Sequence, residues 1–169
     1  MWTTVGPEHE DPAQRKKLFT CSDWPGQPLP YPKKTRTALI IDRDGDVIAW
    51  GWEAQRTWQL RGAQLHRTGH RFKQHFKKMS LARASDDDTI RSGLDIDDAD
   101  DSPQRMIAAF IKRLYHRALN DIASSGYHAD DIRWCLTVPA IWDEHQKQVT
   151  RDAAHEAGMP SEDGRVILA

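Results

Sequence analysis

The stretch LTVPAIWDEHQKQVTRDAAHEAG, residues 136–158, constrains the fold more than any other part of the chain. It starts inside an apolar run, residues 132–138, of the kind that forms buried strands. The run ends at Pro139, which has no N–H group to donate to a neighbouring strand and so marks where the strand leaves its sheet. The polar segment after it predicts a helix over 144–157, with Gly158 as its stop. Ligands of open α/β sheets bind beyond such strand ends, so the stretch predicts the edge of a site.

The remaining patterns predict the elements around this unit. Two apolar runs flank an Asp-Gly pair in residues 37–54, which predicts a β-hairpin because Gly45 can take the positive φ of a tight turn. Ser102 precedes a proline and a long run of apolar residues at helical spacing, which predicts a capped helix that stops at Gly126. A second strand is expected in residues 165–169. The order hairpin, helix, strand, helix, strand predicts an α/β fold with parallel strands joined by right-handed crossovers.

Composition shifts divide the chain into three parts. Residues 1–36 are rich in proline and predict an irregular segment. Residues 37–101 hold the hairpin, a basic stretch at 59–79 that predicts irregular or helical structure, and an acidic loop. Residues 102–169 hold the long helix and a β-α-β unit, and we expect this unit to be truncated at its C-terminal end.

Charge and composition exclude several classes of function. A chain of 169 residues with 38% hydrophobic residues suffices for one domain or part of a larger one. The formal net charge of -1 gives no global field for nucleic acid or membrane. The first residues lack the pattern of a signal peptide, and no apolar run approaches the ~18 residues of a membrane span. We therefore expect a soluble cytoplasmic protein that binds neither nucleic acid nor membrane.

Metal ligands and disulfides are not expected either. Cys21 and Cys135 are too few for a disulfide framework, and Cys135 lies in an apolar run, where a cysteine is usually a small buried hydrophobe. His66 and His70 are four residues apart but have no evident third ligand. In the acidic segment of the hairpin, Val47 stands at the position where a calcium-binding loop needs glycine. A hairpin turn therefore explains this segment better than a calcium site does. Its acidic residues have calcium-loop spacing: Asp42, Asp44, Asp46 and Glu53.

The stretch from Thr137 to Gly158 closely resembles the segment T-V-P-A-[YF]-[FW]-x-x-x-Q-[RK]-Q-x-T-x-[DA]-A-x-x-A-G of the seventy-kilodalton heat-shock chaperone family. Trp142, DWPG at 23–26 and WGWEA at 50–54 look like the divergent, actin-like branch of that family. The resemblance covers about residues 24–169, closely in the last 35 and loosely before them. The ungapped match includes these residues: Thr137, Val138, Pro139, Ala140, Gln146, Gln148, Thr150, Asp152, Ala153, Ala157 and Gly158.

The resemblance implies the actin/hexokinase/heat-shock ATPase fold, with a peripheral lobe first and part of a core lobe after it. The intact family domain binds and hydrolyses ATP with Mg²⁺ and couples this to binding a client protein. By resemblance, Lys77 is the catalytic cation that reaches the γ-phosphate, with Lys78 as the alternative register. Pro139, with Thr137 beside it, would be the switch that senses nucleotide, and Lys147 on the next helix would relay its state.

Departures from the family pattern limit this assignment. The sequence contains neither a D-x-G-T-T nor a D-x-G-G-G-T phosphate loop. Phosphate binding in this fold needs backbone N–H groups from both loops, so we expect ATP and Mg²⁺ to bind poorly to this chain. One interpretation is a partial ATPase domain whose partners are the remainder of that domain or a client. Two alternatives remain: a stand-alone, non-catalytic interaction module that kept the scaffold, and an unrelated α/β domain.

Overall fold

A computed structural model describes residues 2–3, 18–19, 21–29, 34–76, 102–124, 128, 130, 132–140, 142–162 and 164–169. Among these residues, one antiparallel sheet has the strand order β4-β3-β5, β1 pairs antiparallel with β2, and β6 pairs parallel with β7. The helices and strands are β1 (Trp2–Thr3), β2 (Leu18–Phe19), β3 (Ala38–Ile41), β4 (Val47–Trp50), α1 (Gly51–Arg67), β5 (Arg71–Gln74), α2 (Pro103–Ala123), β6 (Trp134–Leu136), α3 (Glu144–Glu156) and β7 (Val166–Leu168).

The predicted hairpin is confirmed in β3 and β4. Gly45 has a φ of 90° in the turn between them. The Asp42 carboxylate accepts hydrogen bonds from the backbone N–H groups of Asp44 at 3.0 Å and Asp46 at 2.9 Å. Asp42 is thus occupied in shaping the turn, as the hairpin interpretation requires.

The expectation of irregular or helical structure over 59–79 is confirmed for residues 59–67, which belong to helix α1, and is wrong for residues 71–74, which form strand β5. α1 begins at Gly51, directly after β4, and β5 pairs with β3 along its whole length. The helix packs only a narrow stripe on β3, chiefly Ala54 with the half-buried Trp58 and Leu65. This stripe is hard to see in a sequence that is otherwise polar, because the wide outer face of the helix meets solvent.

Strand β3 is buried on both faces. Ala38 and Ile40 pack in a small cluster with α1, whereas Leu39 and Ile41 join the larger core with α2. This division follows from the alternation of side chains along a strand. The sheet therefore lies between helices α1 and α2. The second half of the chain packs on α2.

Helix α2 begins as predicted. The Ser102 hydroxyl accepts a hydrogen bond from the Arg105 backbone N–H at 3.2 Å, and Pro103 occupies the first turn. The helix ends at Ala123, and the predicted stop, Gly126, lies outside the described residues. Within the described part of the chain, none of the helices combines the length and the apolar character needed to cross a membrane.

The second half of the chain packs on α2 through α3 and the parallel pair β6–β7. The mixed α/β class and the parallel pairing are therefore confirmed. Strand β6 is shorter than the predicted run 132–138, although Val138 still donates a hydrogen bond to the Ala169 carbonyl. Trp134 faces the core and is 5% exposed, and its ring meets that of Tyr115 at a centroid distance of 4.9 Å.

The prediction that Cys135 is buried is wrong. The apolar run predicts a buried cysteine, but the Cys135 side chain is exposed, whereas Cys21 is buried. Alternation along β6 explains the difference, because Trp134 takes the core-facing position and its neighbour must point to the opposite face. The apolar run therefore does not mean burial on both faces here.

The two thiols should react at different rates in the native protein. With iodoacetamide, we expect Cys135 to be alkylated well before Cys21, because burial shields the Cys21 thiol and raises its pKa, leaving less reactive thiolate. Peptide mass spectrometry against time measures both rates. Replacing Cys135 with serine should remove the fast phase alone, and equal rates in the folded protein would contradict the assignment.

Candidate functional site

The ladder between β6 and β7 ends at Pro139, as the sequence predicts. The Val138 N–H donates to the Ala169 carbonyl at 2.8 Å, and the Ala169 N–H donates to the Leu136 carbonyl at 3.0 Å. Pro139 is the next residue and is exposed. Because proline cannot donate, the backbone leaves the sheet there and turns toward α3.

A short turn and a cap fix the start of α3. The Pro139 carbonyl accepts a hydrogen bond from the Trp142 backbone N–H at 3.0 Å. Asp143 then caps the helix: its carboxylate accepts from the Gln146 N–H at 2.8 Å, and the Gln146 side chain accepts from the Asp143 N–H at 3.1 Å. This reciprocal pair satisfies two backbone donors of the turn that leads from Pro139 into the helix.

Lys147 lies in the first turn of α3. Its Nζ is 2.6 Å from the Glu144 Oε1, and this hydrogen bond holds the pKa of Glu144 below its usual value. The Glu144 side chain is exposed and that of Lys147 is half-buried, so the pair lies at the surface and stabilises the helix little. Lys147 can therefore exchange this partner for another at small cost.

Three of the four predicted site residues lie in one continuous segment that runs from strand β6 into helix α3. Thr137 and Pro139 are exposed in the segment that follows β6, and Lys147 is on the helix that this segment enters. Lys77 and its alternative, Lys78, lie outside the described residues. Phe76, just before them, is fully buried, and its ring lies 5.8 Å from that of Phe110.

A groove with a volume of about 470 Å³ lies beside β6 and was not predicted from the sequence. Its first wall is the segment 134–138, and its second wall includes Lys34, Thr35 and Thr37. The second wall is fixed because the Lys34 carbonyl accepts a 2.9 Å hydrogen bond from the Trp52 indole N–H. The floor is the apolar face of α2: Ile107, Phe110, Ile111, Leu114 and Tyr115.

Three tryptophans contribute to this groove. The side chains of Trp24, Trp134 and Trp142 line it, and each residue is at least nine-tenths buried. Their indole N–H groups have no hydrogen-bond partner among the described residues. Buried indole N–H groups normally have a partner, but these three nitrogen atoms are themselves enclosed, so they present no donor to the groove.

The described lining of this groove offers few groups that could hold a metal ion or a triphosphate. No group of three His, Cys, Asp or Glu side chains among them could hold a metal ion. The groove has an apolar floor and only Lys34 as a cationic lining residue. Bound phosphate needs converging backbone N–H groups or several cations, and the described part of the groove supplies neither.

Comparison with known proteins gives partial matches. No family model matches the chain, and no solved structure matches it. Heat shock 70 kDa protein 12A of Mus musculus and of Homo sapiens are each 41% identical over 62 residues, which is 36% of this chain and 9% of the relative. Heat shock 70 kDa protein 12B of Homo sapiens is 29% identical over 140 residues, 80% of this chain and 20% of the relative. The chain thus spans a small part of these relatives and shares weak, partial homology with them.

Proposed function

We propose that this chain is part of the nucleotide-binding domain of a heat-shock-type chaperone with the actin-like ATPase fold. One observation carries the proposal: the T-V-P-A match falls where a parallel strand ends, and its polar continuation forms the capped helix α3. The partial similarity to heat shock 70 kDa proteins 12A and 12B supports it.

The proposed roles follow the resemblance residue by residue. Lys77 is the cation for the phosphate, and Pro139 with Thr137 is the switch. A proline at a strand end suits a switch, because the backbone there is held by the sheet on one side and by the α3 cap on the other. Lys147 suits the relay, since its solvated partner Glu144 is easily exchanged.

ATP and Mg²⁺ belong, in this proposal, to the intact domain. The described residues supply a scaffold and a switch segment but no phosphate cradle, so this chain alone should hold nucleotide weakly. The remainder of the ATPase domain would be its first partner, and a client protein would bind the assembled chaperone.

Titration with Mg²⁺-ATP tests the proposal. We expect no micromolar binding by calorimetry, and at millimolar nucleotide we expect small NMR shifts of the Thr137 and Lys77 amides. Lys77→Ala should remove these shifts, whereas Lys112→Ala, at an exposed lysine of α2, should leave them. Shifts confined to other parts of the chain, or ATP turnover that survives Lys77→Ala, would overturn the assignment.

A second candidate function is the non-catalytic interaction module. The observation that favours it is the groove beside β6, whose floor is the apolar face of α2. In this candidate the scaffold serves to bind another protein, and no nucleotide is required.

A further inference from the structure

A cleft of about 410 Å³ lies along helix α1 and shares no lining residue with the groove beside β6. The rest of its lining comes from residues 26–28 and Arg36. The residues that α1 contributes have the spacing i, i+3, i+4 and i+7, so they form one stripe about 10 Å long. They are Trp52, Gln55, Arg56 and Gln59.

The wall at residues 26–28 is held in place by contacts within the chain. Gly26 approaches α1 so closely that an added Cβ would lie 2.8 Å from the Cα of Glu53. The Gln27 side chain donates to the Ser22 carbonyl at 2.6 Å and accepts from the Trp24 backbone N–H at 3.1 Å. The cleft is therefore formed before any ligand arrives, as is usual for binding sites.

Arg36 is also held in position at the cleft. Its guanidinium carbon lies 4.7 Å from the centroid of the Trp52 ring, and the Trp52 indole N–H donates to the Lys34 carbonyl at 2.9 Å. Stacking of this kind uses the face of the guanidinium and leaves the N–H groups on its edge available to an acceptor. Part of the entropy cost of ordering this long side chain is thus met in the unbound protein.

The lining of the cleft carries positive charge without a counter-charge. Arg36 and Arg56 line it, and none of its lining residues is acidic. Among the described residues, neither arginine forms an ion pair with a carboxylate. Another cleft, of about 360 Å³ between the hairpin turn and α2, differs because its three cationic lining residues are accompanied by three acidic ones. The cleft along α1 therefore favours an anionic ligand.

We propose that the cleft along α1 binds a phosphate monoester. Such a group carries a charge of about −1.5 to −2 near pH 7 and three acceptor oxygens, which suits two guanidinium groups. A single carboxylate would balance the charge of only one of them. The organic part of the ester would lie along the stripe, where the amides of Gln55 and Gln59 can both donate and accept. The inference does not rest on nucleotide binding, because the segment 137–147 does not line this cleft.

NMR titration of the full chain with two phosphorylated probes tests the inference. One probe is N-acetyl-O-phosphoserine amide, and the other is a capped nine-residue glycine-serine peptide with a central phosphoserine. We expect both to shift the Trp52 indole N–H and the backbone amides of Gln55 and Arg56, and we expect these shifts to weaken as NaCl is added. Tighter binding of the peptide would identify a phosphorylated protein as the source of the ester, and equal affinity would identify a small molecule.

Substitutions of exposed arginines provide the second readout. Arg36→Gln and Arg56→Gln should each weaken binding by about tenfold or more, because each removes charge-assisted hydrogen bonds. Arg61→Gln removes the same charge from α1 outside the cleft and should leave the affinity unchanged. Arg56→Lys keeps the charge but loses the planar fork of donors, so we expect an intermediate affinity. Circular dichroism checks the folding of each variant.

Three results would overturn the inference. The first is the absence of shifts at Trp52, Gln55 and Arg56 at millimolar probe. The second is equal shifts with the unphosphorylated forms of the probes, which would show that the phosphate is not recognised. The third is an equal loss of affinity in Arg61→Gln and Arg56→Gln, which would indicate general attraction to a basic surface. The probes contain no nucleotide, so failure of this inference and failure of the ATP titration are distinguishable.

Discussion

Replacing Phe110 with alanine is expected to lower the free energy of unfolding by about 3–5 kcal/mol, the largest effect of any substitution considered. The Phe110 ring lies 5.9 Å from the ring of Trp50 and 5.8 Å from that of Phe76, edge to face in both pairs. It thereby joins α2 to the end of the hairpin and to the segment after β5. Urea denaturation followed by circular dichroism measures the loss.

Phe72→Ala is the matched control for this substitution. Phe72 stacks on Trp58 at 5.5 Å in the smaller cluster beneath α1, and both residues are only half-buried. The same truncation there removes less buried area and should cost clearly less. Equal losses in the two variants would show that Phe110 does not hold the centre of the core.

Replacing Gly26 with alanine is expected to cost about 2–4 kcal/mol, from strain and overlap together. Gly26 has a φ of 73°, and an added Cβ would lie 2.8 Å from the Cα and 2.9 Å from the N of Glu53. These are backbone atoms in the first turn of α1, so they cannot rotate away. Either the segment 21–29 or the helix must move, and thermal unfolding would report the loss.

Gly45→Ala separates strain from overlap. Gly45 has a φ of 90°, but a Cβ there would meet nothing within 4 Å. The control therefore carries only the cost of a left-handed conformation, about 1–2 kcal/mol. If the two variants were equally destabilised, close packing of Gly26 on α1 would be refuted.

The elements that could be predicted are those with local signals. The Asp-Gly turn, the Ser102 cap and the small residues of α3 each act within a few positions, and each predicted element is present. Helix α1 and strand β5 have no such signal. Their positions depend on contacts with β3, which supplies the buried face that their own polar sequences do not reveal.

The candidate site also has a part that the sequence predicts and a part that it does not. Pro139 was predictable because the absence of a backbone donor is a property of the residue itself. The groove was not, since Lys34, Leu114 and Thr137 are far apart in the sequence and meet only when α2 lies between the two sheets. The exposed Cys135 follows from the same cause, because a lone apolar run does not tell which of its faces receives a neighbour.

The burial of β3 on both faces has a consequence for synthesis on the ribosome. Helix α1 follows the hairpin directly and can cover Ala38 and Ile40 soon after they are made. Leu39 and Ile41 must wait for α2, which is translated much later. During that interval the nascent chain presents an apolar strand face without its cover, which favours aggregation. The time until α2 is translated therefore sets how long this face of the nascent chain stays uncovered.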